Sequence, residues 1–76
     1  HAECVLVFIH NKRFENIFTK TTHKYEDIIG TQVHSNLCND KCLELFVLHG
    51  PAEKIKGLFS EIRRNKRVDY VKLVTP

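Results

Sequence analysis

Residues 4–9 read Cys-Val-Leu-Val-Phe-Ile, a run with no polar position. Side chains alternate across a strand, so a strand of this composition has no face to offer to water. It must sit inside a sheet that is covered on both sides, and the rest of the chain has to supply that cover.

Beyond this strand the hydrophobic period changes. Asn11 suits a helix start, and Phe14, Ile17, Phe18 and Thr21 recur at helical spacing, so a helix with one apolar face should run to about His23. Ile28 to Leu37 returns to strand alternation. Ile29, Thr31, Val33, Ser35 and Leu37 fall on one face, and Ile28, Gly30, Gln32, His34 and Asn36 on the other. Cys38-Asn39-Asp40 is turn chemistry. Cys42 to Leu48 forms the next strand, with Leu43, Leu45 and Val47 on one face and Cys42, Glu44, Phe46 and Leu48 on the other. Gly50-Pro51 ends it, and Pro51 is expected at the first helical position. Ile55, Leu58, Phe59 and Ile62 then mark a second helix, and Val68 to Val74 a last strand.

The order βαββαβ predicts an α+β, ferredoxin-like domain spanning 1–76, with two helices on one face of a four-stranded antiparallel sheet. The helices are expected over Val33, Leu45, Val47 and Val71. The other face, with Phe46 and Leu48 beside His34, Asn36, Cys42 and Glu44, then needs cover of its own, most simply a second copy of the chain.

At 76 residues one domain is the limit. A domain this small buries only about 60% of its unfolded surface, so help from a metal or a partner chain is in keeping with its size. Twelve basic and nine acidic residues are dispersed, which excludes a charged nucleic-acid tail. The densest basic stretch, Arg63, Arg64, Lys66 and Arg67, reads as a solvated helix end. No apolar run approaches the roughly 20 residues that span a bilayer. Three cysteines without a signal peptide argue against a disulfide framework and for a reducing, cytoplasmic setting. A chain that lacks Met and opens at His1 is expected to be a fragment or processed form.

The chemistry concentrates in the hairpin. A three-residue turn at 38–40 pairs Leu37 with Lys41, which sets Asn36 opposite Cys42 and His34 opposite Glu44. Directly opposed Cβ atoms lie about 5 Å apart and diagonal ones about 7–8 Å, so an imidazole and a thiolate on the diagonal can share a metal. A slip of one residue would put them on opposite faces. The spacing alone is a weak signal, since a satisfied His and a buried Cys are the plainer reading. His10 and His49, at strand ends, read as surface histidines, and Cys4 as core.

The stretch from Thr21 to Gly50, with VLVFIHNKR before it and VDYVKLV after it, resembles the regulatory domain of the nickel-responsive regulator (NikR) family. His23 precedes His34 by eleven positions, and Cys42-Leu43-Glu44 follows His34 by eight. The resemblance implies an ACT-like domain that assembles as a homotetramer. It also implies a planar nickel site of three His and one Cys, with His34 and Cys42 from one chain and His23 from its neighbour. It further implies a cytoplasmic transcriptional repressor, not an enzyme, whose operator DNA is read by a ribbon-helix-helix domain outside these residues. Glu44 would hold a ligand imidazole in its tautomer. One position departs: the second His of the family's His-x-His is Asn36. Either three protein ligands suffice, or Cys38 substitutes, or the site is lost. A set containing Cys38 favours tetrahedral Zn(II) or Co(II) over planar Ni(II) or Cu(II). The alternative is an ACT-type small-molecule-binding module that has lost nickel sensing.

Overall fold

The computed structural model describes residues 1–76. Strand β1 spans Ala2–Asn11, helix α1 Glu15–His23, β2 Ile29–Asn36, β3 Lys41–Gly50, helix α2 Ala52–Arg64 and β4 Val68–Val74. Short 3-10 turns at Lys12–Phe14 and Glu26–Ile28 flank α1. The sheet order is β2-β3-β1-β4, and all three pairings are antiparallel. This is the expected ferredoxin-like arrangement, and the strand with no polar face is indeed interior, between β3 and β4.

Local chemistry sets the boundaries. The Asn11 side chain accepts from the Arg13 backbone N–H at 3.0 Å, capping the turn that leads into α1. Pro51 stands at the N-cap of α2, one position before the expected place, because its extended ψ of 134° cannot begin a helix. Gly50 has φ of +150°, and a Cβ there would lie 2.7 Å from Ile28 Cγ2, so glycine is required where the chain turns off the sheet.

The partition of residues between faces of β3 is as expected, but the helices lie on the opposite side from the one inferred. Leu6, Phe8, Phe46 and Leu48 pack under the helices with Phe18, Ile55, Leu58 and Ile62. Val33 is 45% and Val47 39% exposed, and Leu45 is only half-buried, so these three face away from the helices. Of the four residues expected under the helices only Val71 is there, opposite Phe8 and packed on the core. Alternation says which residues travel together, not which set the helices cover. The bulk of Phe8 and Phe46 decides it, because a helix-on-sheet core is filled by large side chains. The face expected to need a second copy is therefore covered by this chain's own helices.

The bare face is the other one. Val5, Val7, Ile9, Leu43 and Leu45 are half-buried there, beside exposed Val33, Val47, Tyr70 and Val74. One further residue changes sides: the β2–β3 register shifts between Ile29 and Thr31, so Ile29 lies opposite Leu48 and joins the core, with Gly30 as the extra residue.

Candidate metal centre

The hairpin has the register that the turn predicts. Leu37 N–H donates to Lys41 O at 2.8 Å, and Asn39 and Asp40 both adopt positive φ, 61° and 59°, as a tight three-residue connection demands of Asn and Asp. His34 lies opposite Glu44 and Asn36 opposite Cys42. All four side chains are thus on the helix side of the sheet, Cys42 and Glu44 buried and His34 and Asn36 exposed. Lys12 N–H donates to Asp40 O at 2.7 Å, fixing the hairpin tip against the start of α1.

Two residues complete the arrangement that the sequence did not single out. His10 ends the alternation Cys4, Leu6, Phe8 on β1 and lies opposite Cys42. It is fully buried, not a surface histidine, and stacks on Phe18 with ring centroids 4.6 Å apart. Its Nε2 lies 3.0 Å from Glu44 Oε2 and 3.2 Å from Glu15 Oε1. Glu15, the first residue of α1, also comes within 3.7 Å of His34 Nε2. The donor atoms form two overlapping clusters, His10–Glu15–Cys42 and Glu15–His34–Glu44, each with all atoms within 4.8 Å of one another. The parity of β1 was the available signal for His10. Glu15 offered none, because only tertiary packing brings a helix start over the sheet end.

The electrostatics follow from crowding acceptors into a dry place. Burial raises the Glu44 carboxyl above the ordinary glutamate range, the hydrogen bond with His10 opposes this, and the Glu15 charge pushes it up again. The Cys42 thiol is raised by burial and then by the charges of Glu15 and Glu44, so without a metal it stays protonated at neutral pH. Glu15 Oε1 is buried and has no hydrogen-bond partner. An orphaned carboxylate oxygen facing imidazoles and a second carboxylate fits a cation well and an apolar or anionic ligand poorly.

The remaining expected site residues are placed as follows. His23 ends α1, 70% exposed, with Nδ1 3.4 Å from Glu26 Oε2, and belongs to neither cluster. Asn36 Oδ1 lies 4.0 Å from Cys42 Sγ. Cys38 is exposed at the turn and stands outside both clusters. His49 is exposed and Cys4 buried, both as expected. His23, His34, Glu15 and Glu44 line a groove of about 490 Å³ between α1 and the uncovered edge strand β2.

Fold and donor set together define an ACT-like domain with side chains that could hold a metal at one end of its sheet. The chain belongs to the family of NikR C-terminal nickel-binding domains, whose profile matches residues 3–75. It is 37% identical over 71 residues to a Methanococcoides burtonii protein named "putative nickel-responsive regulator", covering 92% of this chain and 51% of that protein. A regulator of the same name from Nitratidesulfovibrio vulgaris is 35% identical over 69 residues, covering 90% and 50%. The chain thus spans about half the length of these relatives. Among solved structures, an uncharacterized protein of Thermotoga maritima superposes with a TM-score of 0.88 at 17% identity, over 97% of this chain and 95% of that one. The ACT domain of a GTP pyrophosphokinase from Chlorobium tepidum superposes at 0.76 and 14% identity, over 96% and 97%. At such identities these two structures speak for the fold alone, and they do not favour a small-molecule-binding role over metal sensing. No helix is long and apolar enough to cross a membrane.

Proposed function

We propose that this chain is the metal-sensing, tetramer-forming half of a cytoplasmic nickel-responsive transcriptional repressor, with operator DNA bound by a ribbon-helix-helix domain outside these residues. The observation that carries the reading is the hairpin register, which sets His34 and Cys42 on one face of a domain of the nickel-binding family. His34 and Cys42 serve as ligands from one chain, and the neighbouring copy's His23 as the third. The exposure of His23 at the end of α1 leaves it free to reach another chain. Glu44, opposite His34 on the neighbouring strand, would hold that ligand imidazole from behind.

Asn36 in place of a histidine leaves the set one nitrogen short. An N/S donor set still suits Ni(II) first, with Cu(II), Co(II) and Zn(II) as competitors. When bound, the metal supplies a cross-link between copies. Its effect on DNA binding is limited to the difference in its affinity for the DNA-competent and incompetent arrangements. The bare valine-rich face of the sheet provides the area for assembly.

Titration with Ni(II), followed by visible and near-ultraviolet absorption, tests the ligand set. A thiolate-to-metal charge-transfer band is expected in the wild-type chain and absent from Cys42→Ala. A band of equal strength in Cys42→Ala removes Cys42 from the site.

A further inference from the structure

Glu15, His34 and Glu44 come from three different elements, α1, β2 and β3, and their donor atoms all lie within 4.8 Å of one another. His34 and Glu44 face each other across the β2–β3 pairing. Glu15 reaches them from the start of α1, with its Oε1 3.7 Å from His34 Nε2. All three line the groove beside β2, and neither His10 nor Cys42 does. His10 is fully buried, and its Nε2 is taken up by the hydrogen bond with Glu44 Oε2 at 3.0 Å. It therefore stands behind Glu44 and fixes a carboxylate that has a second oxygen to offer.

The trio lacks positive charge on its open side. No Lys or Arg lines the groove, and Glu26 adds a third carboxylate to its wall. Glu15 Oε1 is buried without a hydrogen-bond partner, which is costly for a carboxylate oxygen unless a cation meets it. Ligands about 2.1 Å from a six-coordinate ion stand about 3.0 Å apart when adjacent and about 4.2 Å apart when opposed. The observed 3.7 Å falls between these values, and atoms within 4.8 Å of one another reach them by small side-chain rotations. The groove, of about 490 Å³, has room for water in the remaining positions.

We propose that Glu15, His34 and Glu44 form a three-ligand cation site within a single chain, open to the groove and completed by water, for a hard divalent ion of the manganese class. Two carboxylates and water beside a single imidazole favour such an ion over the thiolate-seeking ones. The site needs neither Cys42 nor a neighbouring His23, so it stands apart from the interface reading. It does use His34, so on that reading one chain cannot fill both sites at once.

The test uses the full chain and Mn(II). Binding is followed by loss of the free-ion electron paramagnetic resonance signal and by water-proton relaxation, which an ion carrying exchangeable water enhances. Both effects are expected in the wild-type chain and in Cys42→Ala. Glu15→Gln, at a half-exposed helix start, is expected to weaken Mn(II) binding at least about tenfold. It should leave the far-ultraviolet circular dichroism spectrum and the nickel–thiolate band unchanged. Where that band forms, one equivalent of Ni(II) should return Mn(II) to the free signal, and failure to do so overturns the sharing of His34. Absence of Mn(II) binding in the wild-type chain, its loss in folded Cys42→Ala, or equal affinity in Glu15→Gln overturns the site itself. The interface reading fails on a different result, the lack of a nickel–thiolate band in the wild-type chain.

Discussion

His10 Nε2 and Glu44 Oε2 lie 3.0 Å apart, with His10 wholly buried and Glu44 nearly so. With Nδ1 committed to the Asn11 carbonyl, this contact has a hydrogen only if His10 is doubly protonated or Glu44 is neutral. Glu44→Gln removes the conflict, because an amide N–H can donate to Nε2. The metal-free chain is expected to gain about 1 kcal/mol. The sign follows from the raised Glu44 carboxyl: the folded state holds its proton to higher pH than the unfolded state does. The contribution of Glu44 to stability therefore falls as pH rises from the ordinary glutamate range through its raised value. Glu44→Gln should abolish that fall. Thermal melts of both chains in chelator across this range provide the check, and a less stable variant at neutral pH refutes the account.

The acid side of the pH profile belongs to another pair. The Tyr25 hydroxyl donates to Glu61 Oε2, and Lys24 Nζ lies 2.6 Å from Glu61 Oε1, joining the end of α1 to α2. The hydrogen bond from Lys24, then that from Tyr25, holds the Glu61 carboxyl below the usual range. A depressed carboxyl stabilises above its unfolded pKa, and the benefit is lost as pH falls through the folded value. Glu61→Gln should therefore flatten the loss of stability on acidification, and Tyr25→Phe should cost about 1 kcal/mol at neutral pH. Urea midpoints at neutral and acid pH measure both effects. Metal affinity should be unchanged, since neither residue belongs to the donor clusters.

In the proposed function, assembly uses the bare face. Val47 and Val33 are exposed, and the cross-strand neighbour of each on β1 or β3 is apolar. A charge at Val47 leaves the monomer fold intact, since the side chain is not under the helices, but a buried, unpaired carboxylate costs several kcal/mol in any complex that covers this face. Val47→Glu is expected to convert the assembled chain to monomer with an unchanged far-ultraviolet circular dichroism spectrum. Sedimentation velocity decides: a variant that sediments as the wild type does places the interface elsewhere.

The legible and illegible parts of this molecule divide along physical lines. The order of elements followed from local periodicity, and the pairing of His34 with Glu44 followed from the length of one turn, because both are properties of contiguous residues. The side chosen by the helices depends on packing volumes summed over β1, β3 and both helices, and Val33, Leu45 and Val47 were misassigned because alternation carries no sign. Ile29 moved to the core through a bulge at Gly30 that strict alternation does not anticipate. His10 and Glu15 are remote in sequence from the hairpin. Their approach to Glu44 is set by β1–β3 pairing and by the seating of α1, neither of which a motif encodes.

Asn36 bears most directly on nickel. It lies opposite Cys42 on the open end of the sheet, with its Oδ1 4.0 Å from the sulfur, where the family pattern has a second strand histidine. Asn36→His would supply a nitrogen at the same register position, without moving the backbone, since the residue is exposed on an edge strand. Replacing an amide oxygen by imidazole favours Ni(II) and Cu(II) over harder cations. Ni(II) affinity is expected to rise by more than about tenfold, equivalent to about 1.4 kcal/mol, with a stronger thiolate charge-transfer band than in the wild-type chain. Binding should weaken as pH falls, because the raised Cys42 thiol must lose its proton to bind and every histidine ligand must be neutral. Competition titration against a chelator of known affinity, at two pH values, measures both. If Asn36→His leaves Ni(II) affinity unaltered, position 36 does not face the nickel site, and the register-based assignment of His34 and Cys42 as joint ligands fails with it.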